Sequence, residues 1–365
     1  MARYFYYIVF LNMSLNIILN APLVLVQHRF SGAIISILLS IPIGTALTFL
    51  FVNSMSKFKN KGLPEIFSGR LPNFIQYPFL AFLGIFWMSA GSFVVISYSY
   101  LVKLHLNPEM DMRLVTGLLA AVLVYGATRQ TTSILYKLEI SMLISLPVVL
   151  FIIIKAVRSR FFYPEHILRI LDFTWDTPDF SSIAAASFIF TGYVNAAILN
   201  RYIDAKKVMK YIWCIPLVGT LLLFTSFLVP FGFFGINAVS DIVFPWMVTV
   251  DTLRMEYGFI ERTSFLLLLV YLSLTLMFGV LTWHIGLELL KVPFKNKLQS
   301  ANKRVQKYAP VVFTLLIAAA TVYVVQKVNQ REFFSVIKLW FNVRLVCEVV
   351  LVSMVLIFSL RRKRS

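Results

Sequence analysis

Charge is what this chain has least of. Asp, Glu, Lys and Arg make up 14% of its 365 residues, against roughly one-quarter in an ordinary soluble domain, and this excludes a soluble enzyme. Cysteine is almost missing as well: Cys214 and Cys347 both stand in apolar segments, which excludes a disulfide framework and leaves them as small buried hydrophobes. The four histidines (28, 105, 166 and 284) are scattered over different segments. No phosphate-cradling Gly-rich loop, HExxH, GxSxG or CxxC occurs, so no catalytic residue, metal site or cofactor is expected.

What is abundant is apolar surface, 59% of the residues with 15% aromatic. Stretches free of charge and close to the roughly 20 residues of a bilayer crossing fall at 4–26, 31–52, 77–102, 114–128, 138–154, 182–200, 211–230, 263–287, 308–326 and 339–360. Only Glu139, Arg344 and Glu348 lie inside them. The chain therefore reads as one all-α polytopic membrane domain, residues 1–365, with about ten transmembrane helices. The two short stretches, 114–128 and 138–154, need Arg113, Arg129, Lys137 and Lys155 as snorkelling ends. The first span runs to Val26 without a small-residue cleavage site, so it is expected to remain in the mature protein.

Ten spans put both termini on one side. Loops on that side hold 21 Lys and Arg and three acids, whereas the opposite loops hold 12 and 11. The positive-inside rule then makes both termini cytoplasmic. It also explains the net charge of +18 through topology and anionic headgroups rather than a nucleic-acid partner. The longest external loops are 155–181 and 231–262, and the loops 53–76 and 288–307 read as solvated connectors.

The spans divide five and five around loop 155–181, with repeat 1 at about 4–157 and repeat 2 at about 182–360. Because five is odd, halves that share a fold must be inverted repeats, with a site where the first helix of each half is discontinuous. In span 1, Asn12, Ser14, Asn16, Asn20 and Pro22 interrupt the apolar run. Pro22 cannot donate to the Ile18 carbonyl, so the backbone at Asn16, Ile17 and Ile18 is expected to unwind. In span 6 the matching centre is Thr191, Gly192, Tyr193, Val194 and Asn195, with Gly192 as the expected second break. Opened helix ends would bind a small ligand through free N–H and C=O groups; kinking and close helix packing are the competing explanation.

Spans 3 and 8 supply the expected walls: Trp87, Ser89, Gly91, Ser92, Ser97 and Tyr98 on the first, Tyr271, Ser273 and Thr275 on the second. Ser92, Tyr271 and Thr275 join the ligand-binding set. His284 is read as a local hydrogen-bonding group. Arg344 and Glu348, at i,i+4 on span 10, are read as a structural ion pair, and Glu139 as reaching the interface beside Lys137.

One further pattern is more specific. Phe244-Pro245, Val250, Leu253-Arg254 and Phe259-Ile260-Glu261-Arg262 lead into span 8, and Asn200-Arg201-Tyr202-Ile203-Asp204-Ala205-Lys206-Lys207 follows span 6. This arrangement resembles the B subunits of spore germinant receptors, within the amino acid-polyamine-organocation permease superfamily. The resemblance implies a LeuT-like five-plus-five fold and a nutrient-sensing subunit of the spore inner membrane. Such a subunit binds a small germinant, such as an amino acid, and acts with A and C subunits. The chain departs from the family in having Asn16 and Asn20 where a Gly-rich break is common in helix 1. It has Gly192-Tyr193-Val194 in place of Gly-aromatic-Glu in helix 6, and Tyr271 at a position that is often Trp. The alternative reading is a secondary transporter of amino acids or organic cations.

The charge sorting sets a test of topology. In a cysteine-free background, Cys at Asp176 or Asp251 should react with an impermeant thiol reagent from outside, and Cys at Lys59 or Lys297 should not. The reverse pattern would overturn the orientation.

Overall fold

The computed structural model describes residues 2–253, 262–294 and 303–361. Arg254, the block 259–261, Lys295, Lys297 and the basic run 362–364 lie outside the described residues. Among those described the chain is all-helical, and it is an integral membrane protein. Eight helices are long and apolar enough to cross a membrane, and a bent pair makes a ninth span.

That pair is span 1: α1 (Arg3–Leu15) and α2 (Asn20–Gln27), inclined at 46° across the gap 16–19. The break falls where the Asn residues and Pro22 place it. Pro22 is the third residue of α2, in the first turn, where a missing N–H costs nothing. Leu19 before it is extended, at φ −81° and ψ −164°.

The remaining helices are α3 (Ala33–Ser56), α4 (Leu63–Phe67), α5 (Asn73–His105), α6 (Met112–Ala127), α7 (Thr131–Val157), α8 (Pro164–Leu171), α9 (Phe180–Ser187), α10 (Ala196–Leu199), α11 (Ala205–Met209), α12 (Cys214–Ala238), α13 (Pro245–Asp251), α14 (Thr263–Leu290), α15 (Lys303–Lys327) and α16 (Gln330–Arg361). With α1/α2, the helices α3, α5, α6, α7, α9–α10, α12, α14, α15 and α16 match the ten expected stretches. At 16 residues, α6 is about 24 Å long, short of a full crossing. Helix α7 starts seven residues earlier than the charge-free stretch and takes in Lys137 and Glu139; Glu139 pairs with Arg3 of α1 at 3.1 Å, which neutralises it at the face that carries both termini.

Span 6 is corrected. It does not open at Gly192; it tightens into a 3₁₀ helix over Phe188–Asn195, between α9 and α10. The cause is Asn12 of α1, whose Nδ2 donates to the carbonyls of Phe188 at 2.6 Å and Ile189 at 3.2 Å. A side chain inserted into a helical ladder diverts its carbonyls. Gly192 permits the approach, because a Cβ there would lie 2.7 Å from the Val9 Cα.

The loop 53–76 is corrected too. It is a packed element rather than a solvated connector: Phe58, Leu63, Ile66 and Phe67 are fully buried. Asn200 pins it by donating to the Phe58 and Lys61 carbonyls at 2.9 and 2.8 Å, and Glu65 caps α4 through the Gly62 N–H at 2.8 Å.

Helices α5 and α14 run together through the centre. Glycines make this possible: a Cβ on Gly286 would lie 2.5 Å from the Gly84 carbonyl oxygen, and one on Gly84 2.8 Å from that of Gly286, the small-residue contact that brings membrane helices close. Span 6 is buried over almost its whole length between α1, α3 and α16, whereas α15 packs mainly on α6 and faces outward.

A small cavity between spans 1, 3, 6, 8 and 10

Part of the polar backbone around the break in span 1 is satisfied by side chains of the protein. Tyr271 OH donates to the Ser14 carbonyl at 2.5 Å, Ser226 Oγ to that of Ile17 at 3.0 Å, and Asn16 Nδ2 to that of Asn12 at 2.7 Å. Ser97 Oγ donates to Asn20 Oδ1 at 2.7 Å. Ser92 accepts from Thr321 at 2.9 Å and donates to the Met88 carbonyl. Thus Ile17, Asn20, Ser92 and Tyr271 tie spans together in this conformation, Asn16 bonds within its own span, and Ile18 is buried. Tyr193 packs its ring 5.4 Å from that of Phe51, and its buried hydroxyl, like that of Thr275, has no hydrogen-bond partner among the described residues.

The open space lies one turn closer to the terminus face. Asn12, Trp87, Thr191, Gly192, Asn195, Thr282, Trp340 and Arg344 line it together with Phe86, Ala90, Phe188 and Phe278. The empty space between them totals about 330 Å³, but a water-sized sphere can centre in only about 20 Å³ of it, room for about one water. This is a closed conformation. Of the ligand set read from the sequence, Thr191, Gly192 and Asn195 reach the cavity. Val194 is buried but does not line it.

The polar lining side chains are held by hydrogen bonds. Trp87 Nε1 donates to Asn195 Oδ1 at 3.1 Å, and Asn195 Nδ2 to the Gly192 carbonyl at 3.0 Å. Trp340 Nε1 donates to Ser89 Oγ at 3.0 Å, and its ring stacks on Phe86 at 5.0 Å. Thr282 Oγ1 donates to the Phe278 carbonyl at 2.9 Å.

Arg344 stands at the end of the cavity. The expected pair is present, with Nη1 2.8 Å from Glu348 Oε2, but the guanidinium does more. Nη1 also donates to Thr191 Oγ1 at 2.5 Å, and Nη2 donates to Ser187 Oγ at 2.7 Å and to the Ala184 carbonyl. Arg344 is 1% exposed and Glu348 3%. Buried charges of this kind are tolerated only when paired and hydrogen-bonded. From the sequence Arg344 reads as a structural ion pair, with a gating or proton-linked role as the alternative, and Trp340 is not singled out; their i,i+4 spacing on span 10 is the available signal, as is that of Asn12 with Asn16.

Polar contacts join the helices at both faces of the membrane domain. At the terminus face, Arg201 Nη2 meets Glu65 Oε1 at 2.6 Å and Nη1 meets Glu288 Oε2 at 3.6 Å, while Lys291 holds Glu288 at 2.8 Å. Behind it His284 is fully engaged: Nδ1 donates to the Ala127 carbonyl at 2.8 Å, which can only accept, so Nε2 accepts from Thr131 Oγ1 at 2.8 Å. At the far face, Lys338 Nζ donates to His28 Nε2 at 2.8 Å, with Asp179 Oδ2 3.7 Å away. Burial and the Lys338 ammonium hold His28 below its ordinary value against the opposing pull of Asp179. Burial would raise the Asp179 carboxyl, but His28, its hydrogen bonds with Ser181 and Lys338 together bring it below its usual range.

A protein-family model described as "spore germination protein" matches residues 4–321. The chain belongs to the spore germination protein family. No curated protein matches it significantly. The match covers nearly the whole of this spore germination protein but ends before α16, so Arg344 and Glu348 lie beyond the matched residues.

Two predictions follow the geometry. Arg344→Ala should lower the thermal stability of the purified protein more than Arg344→Ala with Glu348→Ala, because the single change strands a buried carboxylate at a cost of about 3–5 kcal/mol; equal losses would mean that the two do not pair. At the far face, a histidine with a lowered value stabilises the fold as the neutral base. That contribution is complete above its ordinary value near about 6.5 and is lost as pH falls through the lowered one. Labelling of Cys placed at the buried Ser182 should therefore rise on acidification, and His28→Gln should flatten the profile. A pH-independent rate in the parent would contradict this.

Proposed function

We propose that this spore germination protein is a germinant-sensing subunit that binds a small nutrient, such as an amino acid, in the cavity between spans 1, 3, 6, 8 and 10. In this reading it sits in the spore inner membrane with both termini cytoplasmic and passes its state to A and C partner subunits. The single observation that carries the reading is the cavity itself. It is small and mainly apolar, with Asn12, Thr191, Asn195, Thr282 and Arg344 as its polar points, and it lies where bent span 1 meets the 3₁₀ turn of span 6. A mid-helix 3₁₀ stretch is a frequent hinge. Two inverted halves, about 4–157 and 182–360, would place that meeting point on their common axis.

The small size of the cavity gives the ligand something to act on. A nutrient shifts the balance between closed and open forms only by the difference in its affinity for them. The cavity here holds about one water, so the form that admits a nutrient is a wider one. The bend in span 1 also favours a second reading, secondary transport through the same cavity, which labelled-substrate uptake into proteoliposomes would reveal.

The test targets the cavity without disturbing its frame. Gly192 is unsuitable, since any side chain there meets Val9 and should lower abundance. Ala90→Val narrows the cavity by two methyl groups, and Thr282→Val removes one wall hydroxyl whose hydrogen bonds among the described residues lie within its own helix. Both should raise the nutrient concentration needed for germination by about tenfold or more, equivalent to about 1.4 kcal/mol, while immunoblots of spore membranes show normal abundance. Unchanged dose-response curves at normal abundance would refute the assignment.

A further inference from the structure

A wider cavity lies at the terminus face, apart from the central one. Ser56 and Lys59, at and just past the end of α3, line it on one side, and Asp204, Lys206 and Lys207, in the connector after span 6, on the other. About 290 Å³ of it is open to the centre of a water-sized sphere, against about 20 Å³ in the central cavity. A group far larger than water therefore enters without rearrangement. The charge around it is lopsided. At this face Glu65 and Glu288 are held by Arg201 and Lys291, and Glu139 by Arg3. Among the described residues Asp204, Lys59, Lys206 and Lys207 form no ion pair. Three ammonium groups against one carboxylate leave a surplus of two positive charges in one pocket.

The pocket lies at the depth of the lipid headgroups. Lys206 and Lys207 belong to α11, directly before α12. Tyr211 and Trp213, where α12 begins, are exposed, and exposed aromatic rings at a span's end mark the membrane interface. The helices beside the pocket turn apolar surface outward: Phe49, seven residues before Ser56 and so on the same face of α3, is exposed, as are Leu217 and Leu221 of α12. These two helices are neighbours, since Gly44 of one and Gly219 of the other both close on the Phe190 ring. The basic segment is also fixed in place. Tyr6 Oη donates to the Val208 carbonyl of α11 at 2.6 Å, so its lysines are presented by a pinned backbone and lose less freedom on binding.

We propose that this pocket binds the phosphate headgroup of an anionic phospholipid from the leaflet on the terminus face, whose chains lie on the outward faces of α3 and α12. An amphipathic anion matches both halves of the surface, the positive surplus above and the apolar faces below, and basic pockets between membrane helices recognise headgroups in this way. Each lysine is a compact charge with three donors. Because Lys59 follows α3 whereas Lys206 and Lys207 stand on α11, a phosphate held between them joins span 2 to the connector that leaves the 3₁₀ turn of span 6. The lipid site is independent of what the central cavity holds.

The test places the full chain in phosphatidylcholine nanodiscs, replaces part of that lipid with phosphatidylglycerol of the same chains, and follows the thermal midpoint. The midpoint should rise and level off while the anionic lipid is still a minor fraction. Phosphatidylethanolamine, which has no net charge, should not reproduce the rise. Lys206→Gln with Lys207→Gln should increase the fraction needed for half the effect by about tenfold, and Lys59→Gln alone by about threefold. All three side chains are exposed, so the midpoints in pure phosphatidylcholine should stay near the parent's. Arg129→Gln with Lys137→Gln removes two exposed charges at the same face outside the pocket and should leave the titration alone. An equal shift in that control, a rise matched by phosphatidylethanolamine, or no rise at all overturns the proposal. So does full stabilisation by glycerol phosphate in pure phosphatidylcholine discs, which would make the ligand a free phosphate. If the lysine variants do not fold, a phosphatidylglycerol with a diazirine in its headgroup decides on the parent: adducts at 55–59 and 200–207 are expected, and adducts confined to other residues overturn the proposal.

Discussion

The arrangement of spans depends on one buried guanidinium. Arg344 joins α16 to the end of α9 through Ala184 and Ser187, to the 3₁₀ turn through Thr191, and to its own helix through Glu348. A cation in an apolar interior is stable only while every one of these partners stays in place. Span 6 and span 10 are therefore fixed relative to each other, and the cavity between them and α5 inherits a definite shape. The same side chain forms part of the cavity wall, so whatever perturbs that wall perturbs the tie between two spans.

A second constraint works from the other side. Asn12 takes the Phe188 and Ile189 carbonyls out of the regular ladder, and Gly192 lets α1 come close enough to do so. The 3₁₀ turn is thus held between a neutral amide on span 1 and a charged fork on span 10. Polar contacts also join elements at both faces, ion pairs from Arg201 to Glu65 and Glu288 at one and a hydrogen bond from Lys338 to His28 at the other. Polar contacts exchange with water on opening at small net cost, which suits a device that must change state.

Much of this was legible in the sequence. Helical spans follow from charge-free length, and the break at 16–19 follows from Pro22, because the missing N–H and the ring act on the Ile18 carbonyl whatever the tertiary setting. The i,i+4 spacing of Arg344 and Glu348 sufficed for their pairing. Composition could not show which polar groups would satisfy one another. Asn16, Asn20 and Tyr271 look like ligand contacts in a list of polar residues, but Asn12, Ser97 and Ser14 stand opposite them and take their hydrogen bonds. Gly192 carries the same signal whether it opens a helix or admits a neighbour, and only the position of Val9 decides. The packing of 53–76 was masked by its lysines and glycines, since Phe58, Ile66 and Phe67 are too widely spaced to form an apolar run.

Photo-crosslinking bears most directly on where a nutrient sits. Spores would be exposed to a diazirine analogue of a nutrient that triggers them, irradiated, and the modified peptides of this protein mapped. The cavity account predicts adducts on Asn12, Trp87, the turn Phe188–Asn195 or Trp340, suppressed by excess unlabelled nutrient. Suppressible adducts confined to residues 16–20 and Thr275, at the break in span 1, would contradict it.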